Sequence, residues 1–94
     1  VVKKSDGYYT LMSYQGPEGN RQYYYLNDNN NDNLNFNTQD INQSTSLSVS
    51  IHDNDTRYRS FQRSDGKYIT FDFDKPIFRN GWIENYQKWT FTVV

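Results

Sequence analysis

The sequence predicts an all-β fold: two four-strand repeats forming a small barrel or sandwich, with no significant helix. Three observations predict it. Short runs of strand formers alternate apolar and polar side chains, turn signals rich in Gly, Asn and Asp separate them, and the second half of the chain repeats features of the first. The 94 residues make one small domain, with a first repeat over about 8–51 and a second over about 56–94. A chain of this size buries a modest share of its surface and depends on its few large side chains. Here those are aromatic, at 18% of residues with nine tyrosines, so the expected core is thin and lined by rings that keep a hydroxyl wet.

Val1 to Lys4 followed by Ser5-Asp6-Gly7 reads as a strand and a turn, and Tyr8 to Gln15 as a continuing strand. Gly16-Pro17-Glu18-Gly19-Asn20 is a loop, and Arg21 to Leu26 returns as a strand around Tyr23-Tyr24-Tyr25. Asn27 to Asn33 is an Asn/Asp tract that must be exposed, since burial would strand many amides and carboxylates. Leu34-Asn35-Phe36 is a short strand, Thr38 to Gln43 a polar turn, and Thr45 to Ile51 alternates with Leu47, Val49 and Ile51 on one face. After the His52–Asp55 linker, Arg57 to Arg63 forms a strand that turns at Ser64-Asp65-Gly66, where Gly takes a positive φ. Lys67 to Phe73 then puts Ile69, Phe71 and Phe73 on one half-buried face. Pro76 suits a strand start or edge before Ile77 and Phe78, Asn80-Gly81 is a second turn, and Trp89 to Val93 closes the unit.

The halves align through Tyr23-Tyr24-Tyr25-Leu26 over Tyr68-Ile69-Thr70-Phe71, and through Gln43-Ser44-Thr45-Ser46-Leu47 over Gln87-Lys88-Trp89-Thr90-Phe91. Asp65-Gly66-Lys67-Tyr68-Ile69-Thr70, followed about twenty residues later by Gln87-Lys88-Trp89, resembles a β-trefoil repeat of the ricin-lectin or fascin-like kind. A trefoil has three units and this chain has room for two, so a third was removed, comes from another chain, or the architecture differs. The runner-up resemblance is a βγ-crystallin-like double Greek key, whose closing strand is similar to Thr45-Ser46-Leu47-Ser48-Val49. That family's aromatic-x-Gly corner is missing before Gly19 and Gly66, and its calcium-loop pair is reduced to Asn42 beside Ile41.

The ricin-type resemblance implies sugar binding, with Asp65 and Trp82 as ligand residues and Asn85 and Gln87 near them. Gln87 and Trp89 are also expected to be structural, Trp89 filling the core. Carbohydrate sites join an aromatic platform to groups that donate and accept hydrogen bonds, and Tyr, Asn, Asp and Gln supply that chemistry. Asp28, Asn30 and Asp32 place oxygens at alternate positions, as a calcium loop begins, and Asp53 with Asp55 is a second oxygen pair. The loop then departs from that pattern, with Asn33 for the turn glycine and Gln39 for the bidentate Glu, so solvated Asn/Asp turns are the simpler reading. No cofactor is required; calcium is the one these loops admit.

Catalysis is not expected. The lone histidine, His52, sits in a polar linker without a serine motif, and nothing converges Glu18 and Glu84 into a carboxylate pair. Net charge is −1, so no long-range field draws nucleic acid, although Arg57, Arg59 and Arg63 share strand parity beside Tyr58 and Phe61. There is no cysteine, and no apolar run approaches the roughly 18 residues of a membrane span. The absence of an initiator Met and of a signal peptide reads as a processed product or excised domain. The expectation is a non-enzymatic binding module, secreted or on the cell surface, whose partner is a carbohydrate or glycoprotein. The alternatives are a secreted crystallin-like toxin, inhibitor or structural protein with weak calcium sites, and a subunit that completes its fold in a homo- or hetero-oligomer through an exposed Tyr23-Tyr24-Tyr25 edge. Asn42-Gln43-Ser44 and Asn54-Asp55-Thr56 are glycosylation acceptors in a secretory eukaryote.

Overall fold

The structure is a computed structural model that describes residues 1–29, 31–52, 55–81 and 84–90, with the backbone alone for 52, 55, 56, 84 and 85. The chain is all-β, in two sheets. β1 (Val2–Lys3), β2 (Tyr9–Thr10), β6 (Leu47–His52), β7 (Asp55–Arg63), β8 (Tyr68–Asp72) and β9 (Lys75–Arg79) form a six-stranded sheet in that order. β3 (Met12–Gln15), β4 (Gln22–Leu26) and β5 (Phe36–Thr38) form a three-stranded one. Two 3-10 turns, Ile41–Gln43 and Glu84–Gln87, are the helical elements among the described residues.

The stretch read as one strand from Tyr8 to Gln15 divides at Leu11 and serves both sheets. Leu11 stays tied to the three-stranded sheet, its carbonyl accepting from the Leu26 amide at 3.0 Å. β4 is central, paired to β3 on one side and β5 on the other, so Tyr23-Tyr24-Tyr25 is not a sheet edge. The strand expected at Leu34 begins at Phe36, and the polar turn after it contains the first 3-10 turn. Asp40 caps that turn, accepting from the Asn42 amide at 3.0 Å.

The sheets share one core of Leu26, Leu47, Phe61, Ile69 and Phe78, each 3% exposed or less, with Val1, Leu11, Leu34, Phe36, Val49 and Trp89 packed against it. The tyrosines are elsewhere. None is fully buried: Tyr8, Tyr14, Tyr23 and Tyr86 are exposed and the other five half-buried, so they form a shell around a core of aliphatic side chains and phenylalanine. A phenol hydroxyl needs a partner once buried, and the five side chains of this core cluster need none. The alternation expected through Ile51 also ends early. Leu47 is buried and Val49 half-buried, but the β6–β7 register shifts between Ser50 and His52 and Ile51 is 51% exposed.

Trp89 sits where a closing strand was expected, exchanging backbone hydrogen bonds of 2.9 Å with Arg59 in both directions. Its indole Nε1 donates to the Ile69 carbonyl at 3.0 Å, which seats the ring against the core. The rest of that strand, 91–94, lies outside the described residues.

Candidate functional site

Two places concentrate side-chain chemistry. One is centred on Arg63, at the end of β7. Its side chain is 7% exposed, and all five guanidinium N–H donors are engaged. Nε and Nη2 grip Asp65 at 3.0 and 2.6 Å, Nη1 donates to Asp28 at 3.0 Å and to the Asn31 carbonyl at 2.6 Å, and Nη2 reaches Asp32 at 3.0 Å. Lys67 Nζ adds bonds of 2.8 and 2.9 Å to Asp32, and the guanidinium lies over the Phe78 ring, 4.3 Å from its centroid.

The sequence brings this about in two steps. The Ser64-Asp65-Gly66 turn, with Gly66 at φ +90, folds Asp65 back so that it accepts from both Arg63 and the Lys67 amide. The Asn/Asp tract then lies across β7 and β9, its Asp32 carbonyl accepting from the Phe78 amide at 2.7 Å. Asp65 is held below the usual carboxylate range chiefly by its Arg63 hydrogen bonds, and Asp32 by Lys67 and then Arg63. Arg63 is raised above its ordinary value, Asp65 contributing most.

The structure therefore joins Asp28 and Asp32, expected as calcium ligands, to Asp65, expected as a sugar ligand, but joins them on one cation. Their oxygens face a guanidinium and an ammonium, and among the described residues no group of three His, Cys, Asp or Glu side chains forms an open metal cage. Asn30, Asp53 and Trp82 lie outside the described residues, as do the side chains of Asp55 and Asn85. Arg63 is also lost to the basic stripe, because its parity points it toward buried Phe61 and Phe78. A cavity of about 460 Å³ beside this network is lined by polar groups such as Asn27, Gln43, Thr45 and Ser46, and among the described residues no ring borders it.

The second place is the β8–β9 hairpin. Asp72 pairs with Lys75, leaving Phe73-Asp74 as a two-residue turn with Phe73 at φ +58, where a tight hairpin ordinarily takes glycine. Phe73 is 93% exposed and Phe71 42%, the reverse of the half-buried face expected for them with Ile69. The reason is that β8 is covered on both sides. Ile69 enters the core, while Thr70, 1% exposed, lies under the second 3-10 turn, where its hydroxyl accepts from Gln87 Nε2 at 3.2 Å.

Gln87 is fully buried and also donates to the Gly81 carbonyl at 2.7 Å, so it anchors this turn. By pinning the 3-10 turn against β8 it sets Tyr86, 56% exposed, beside Phe71. Phe71, Phe73 and Tyr86 then border a pocket of about 400 Å³ with Asp72 and Arg79, whose charged groups meet at 3.5 Å while both stay partly exposed. Sequence reasoning passed over this pocket. Its available signal was Phe-Asp-Phe-Asp running into a turn, too polar for a strand end that enters a core.

No protein-family model, curated protein or solved structure matches this chain.

Proposed function

We propose that the chain is a non-enzymatic binding module, secreted or at the cell surface, that recognises carbohydrate or a glycosylated partner through the pocket of Phe71, Asp72, Phe73, Arg79 and Tyr86. The observation that carries this reading is the meeting of three exposed rings with a partly exposed ion pair in one concave site. A sugar presents an apolar C–H face to stack on rings and a rim of hydroxyls that both donate and accept. Arg79 offers donors and Asp72 acceptors at the edge of the platform. Among the described residues the pocket holds one carboxylate, already paired to a guanidinium, whereas glycoside hydrolysis uses two carboxyls about 5–10 Å apart, so binding without cleavage is the better match.

The same reading treats the chain as two related trefoil-type units. In support, each half carries a hairpin followed by a 3-10 turn ending on a glutamine, Gln43 or Gln87, and each pairs an early strand with residues just beyond that turn, Tyr9 with Leu47 and Arg59 with Trp89.

The test is a glycan array of the folded chain, followed by calorimetry on the best sugar class with Tyr86→Ala and Phe71→Ala. Saturable binding is expected, weakened by each change about tenfold, on the order of 1.4 kcal/mol. An array with no binder, from a chain with intact circular dichroism, would sink the proposal.

A further inference from the structure

β3 is an open sheet edge of a distinctive kind. Met12-Ser13-Tyr14-Gln15 has no charge, no proline and no bulge, and among the described residues it pairs in unbroken register with β4 on one side and with nothing on the other. The remaining edges are blunted in the usual ways. β1 is two residues long and includes Lys3, and β5 is three residues long with a register shift against β4. β9 carries Lys75, Pro76 and Arg79, and its outer side is occupied by the Asp32 carbonyl and by the bridge between Asn33 and Ile77.

A preset anchor stands on the same strand. Tyr14 is 52% exposed, its ring 6.2 Å from that of Tyr23 and capped by the Arg21 guanidinium at 4.1 Å. Tyrosine and arginine are the residue types in which binding energy concentrates, and a ring already held in place loses little freedom when a partner arrives.

We propose that β3 pairs antiparallel with β3 of a second copy of this chain, joining two three-stranded sheets into one of six strands. Pairing centred on Ser13 sets Ser13 opposite its own counterpart and Met12 opposite the other copy's Tyr14, so no like charges meet across the seam. The strand offers nothing that selects a partner of complementary charge, whereas it is complementary to itself. Antiparallel neighbours in one sheet are related by a twofold axis perpendicular to it, so Met12 and Tyr14 of both copies share a face. Met12 borders an apolar cleft of about 390 Å³ that reaches Phe61, Ile69 and Trp89 between the sheets, and pairing puts the clefts of both copies on that common face.

Sedimentation equilibrium of the full chain from about 1 to about 300 µM tests this, because association makes apparent mass depend on concentration. The mass is expected to rise from one chain to two, and Tyr14→Lys to weaken the association at least tenfold with unchanged circular dichroism. Ile51→Lys, an exposed position away from β3, is expected to leave it as tight. A single-chain mass throughout would overturn the proposal, and so would a dimer indifferent to Tyr14→Lys. Should Tyr14→Lys unfold, hydrogen exchange of the wild-type chain at both ends of the range decides. Slower exchange of the Met12–Gln15 amides on association supports the seam, whereas exchange unchanged there, or a lasting mass that reflects capture of a different chain, excludes it.

Discussion

At the scale of single residues, Arg63 shows how little a carboxylate's position in the sequence says about its role. Asp28 and Asp32 read as the start of a calcium loop and Asp65 as a sugar ligand, because alternate oxygens and a turn aspartate are what those sites require. Their common counter-ion stands 35 residues from Asp28 along the chain, on a strand that reads as a basic stripe. Arg63 and Asp28 are both buried, at 7% and 6% side-chain exposure, so removing one partner leaves the other charged in a poor solvent. Arg63→Met is expected to destabilise the chain by about 3–5 kcal/mol, read as a lowered urea midpoint. Arg63→Lys should recover little of this, since three donors on a flexible stem cannot replace a planar fork bonded at five points. A midpoint unchanged by Arg63→Met would show that the carboxylates do not depend on that guanidinium.

At the scale of elements, the β8–β9 hairpin sets local preference against placement. Period-two alternation correctly sent Ile69 inward, but it cannot report that the opposite face of β8 is also covered, by a 3-10 turn whose Gln87 lies 17 residues from Thr70. With both faces of the strand covered, its end carries Phe71 and Phe73 outward. The turn holds Phe73 at φ +58, which for a bulky side chain costs on the order of 1–3 kcal/mol. Phe73→Gly is therefore expected to raise stability by about 1 kcal/mol while weakening sugar affinity. Parallel thermal melts and calorimetry check this, and a variant that loses stability would mean that the ring contributes more by packing than its backbone costs.

At the scale of the whole molecule, carboxylates held in hydrogen bonds and ion pairs tie stability to pH. Asp65 is lowered by Arg63, Asp32 by Lys67 and Arg63, and Asp6 by the Tyr8 amide. A carboxyl lowered in the folded chain binds its proton more readily when unfolded, so its stabilisation is complete above the ordinary carboxylate value near 4 and is lost as pH falls through the lowered folded value. Urea midpoints are expected to be level from about pH 5 to 7 and to decline below about pH 4. Arg63→Met should flatten that decline, and a wild-type midpoint as high at pH 3 as at pH 6 would refute the coupling. Much of the architecture was legible in advance. Turn chemistry at Ser64-Asp65-Gly66, strand formers on either side of it, and the polar tract at Asn27–Asn33 determined an all-β chain and the location of its loops, because those signals act within a few residues. Tertiary structure alone decided that the tyrosines stay outside the core, that Asp28, Asp32 and Asp65 share one arginine, and that Phe71, Phe73 and Tyr86 meet around a pocket. Each of those outcomes depends on which distant element covers a face or neutralises a charge, and that choice is made by packing between segments, not by the residues that carry the chemistry.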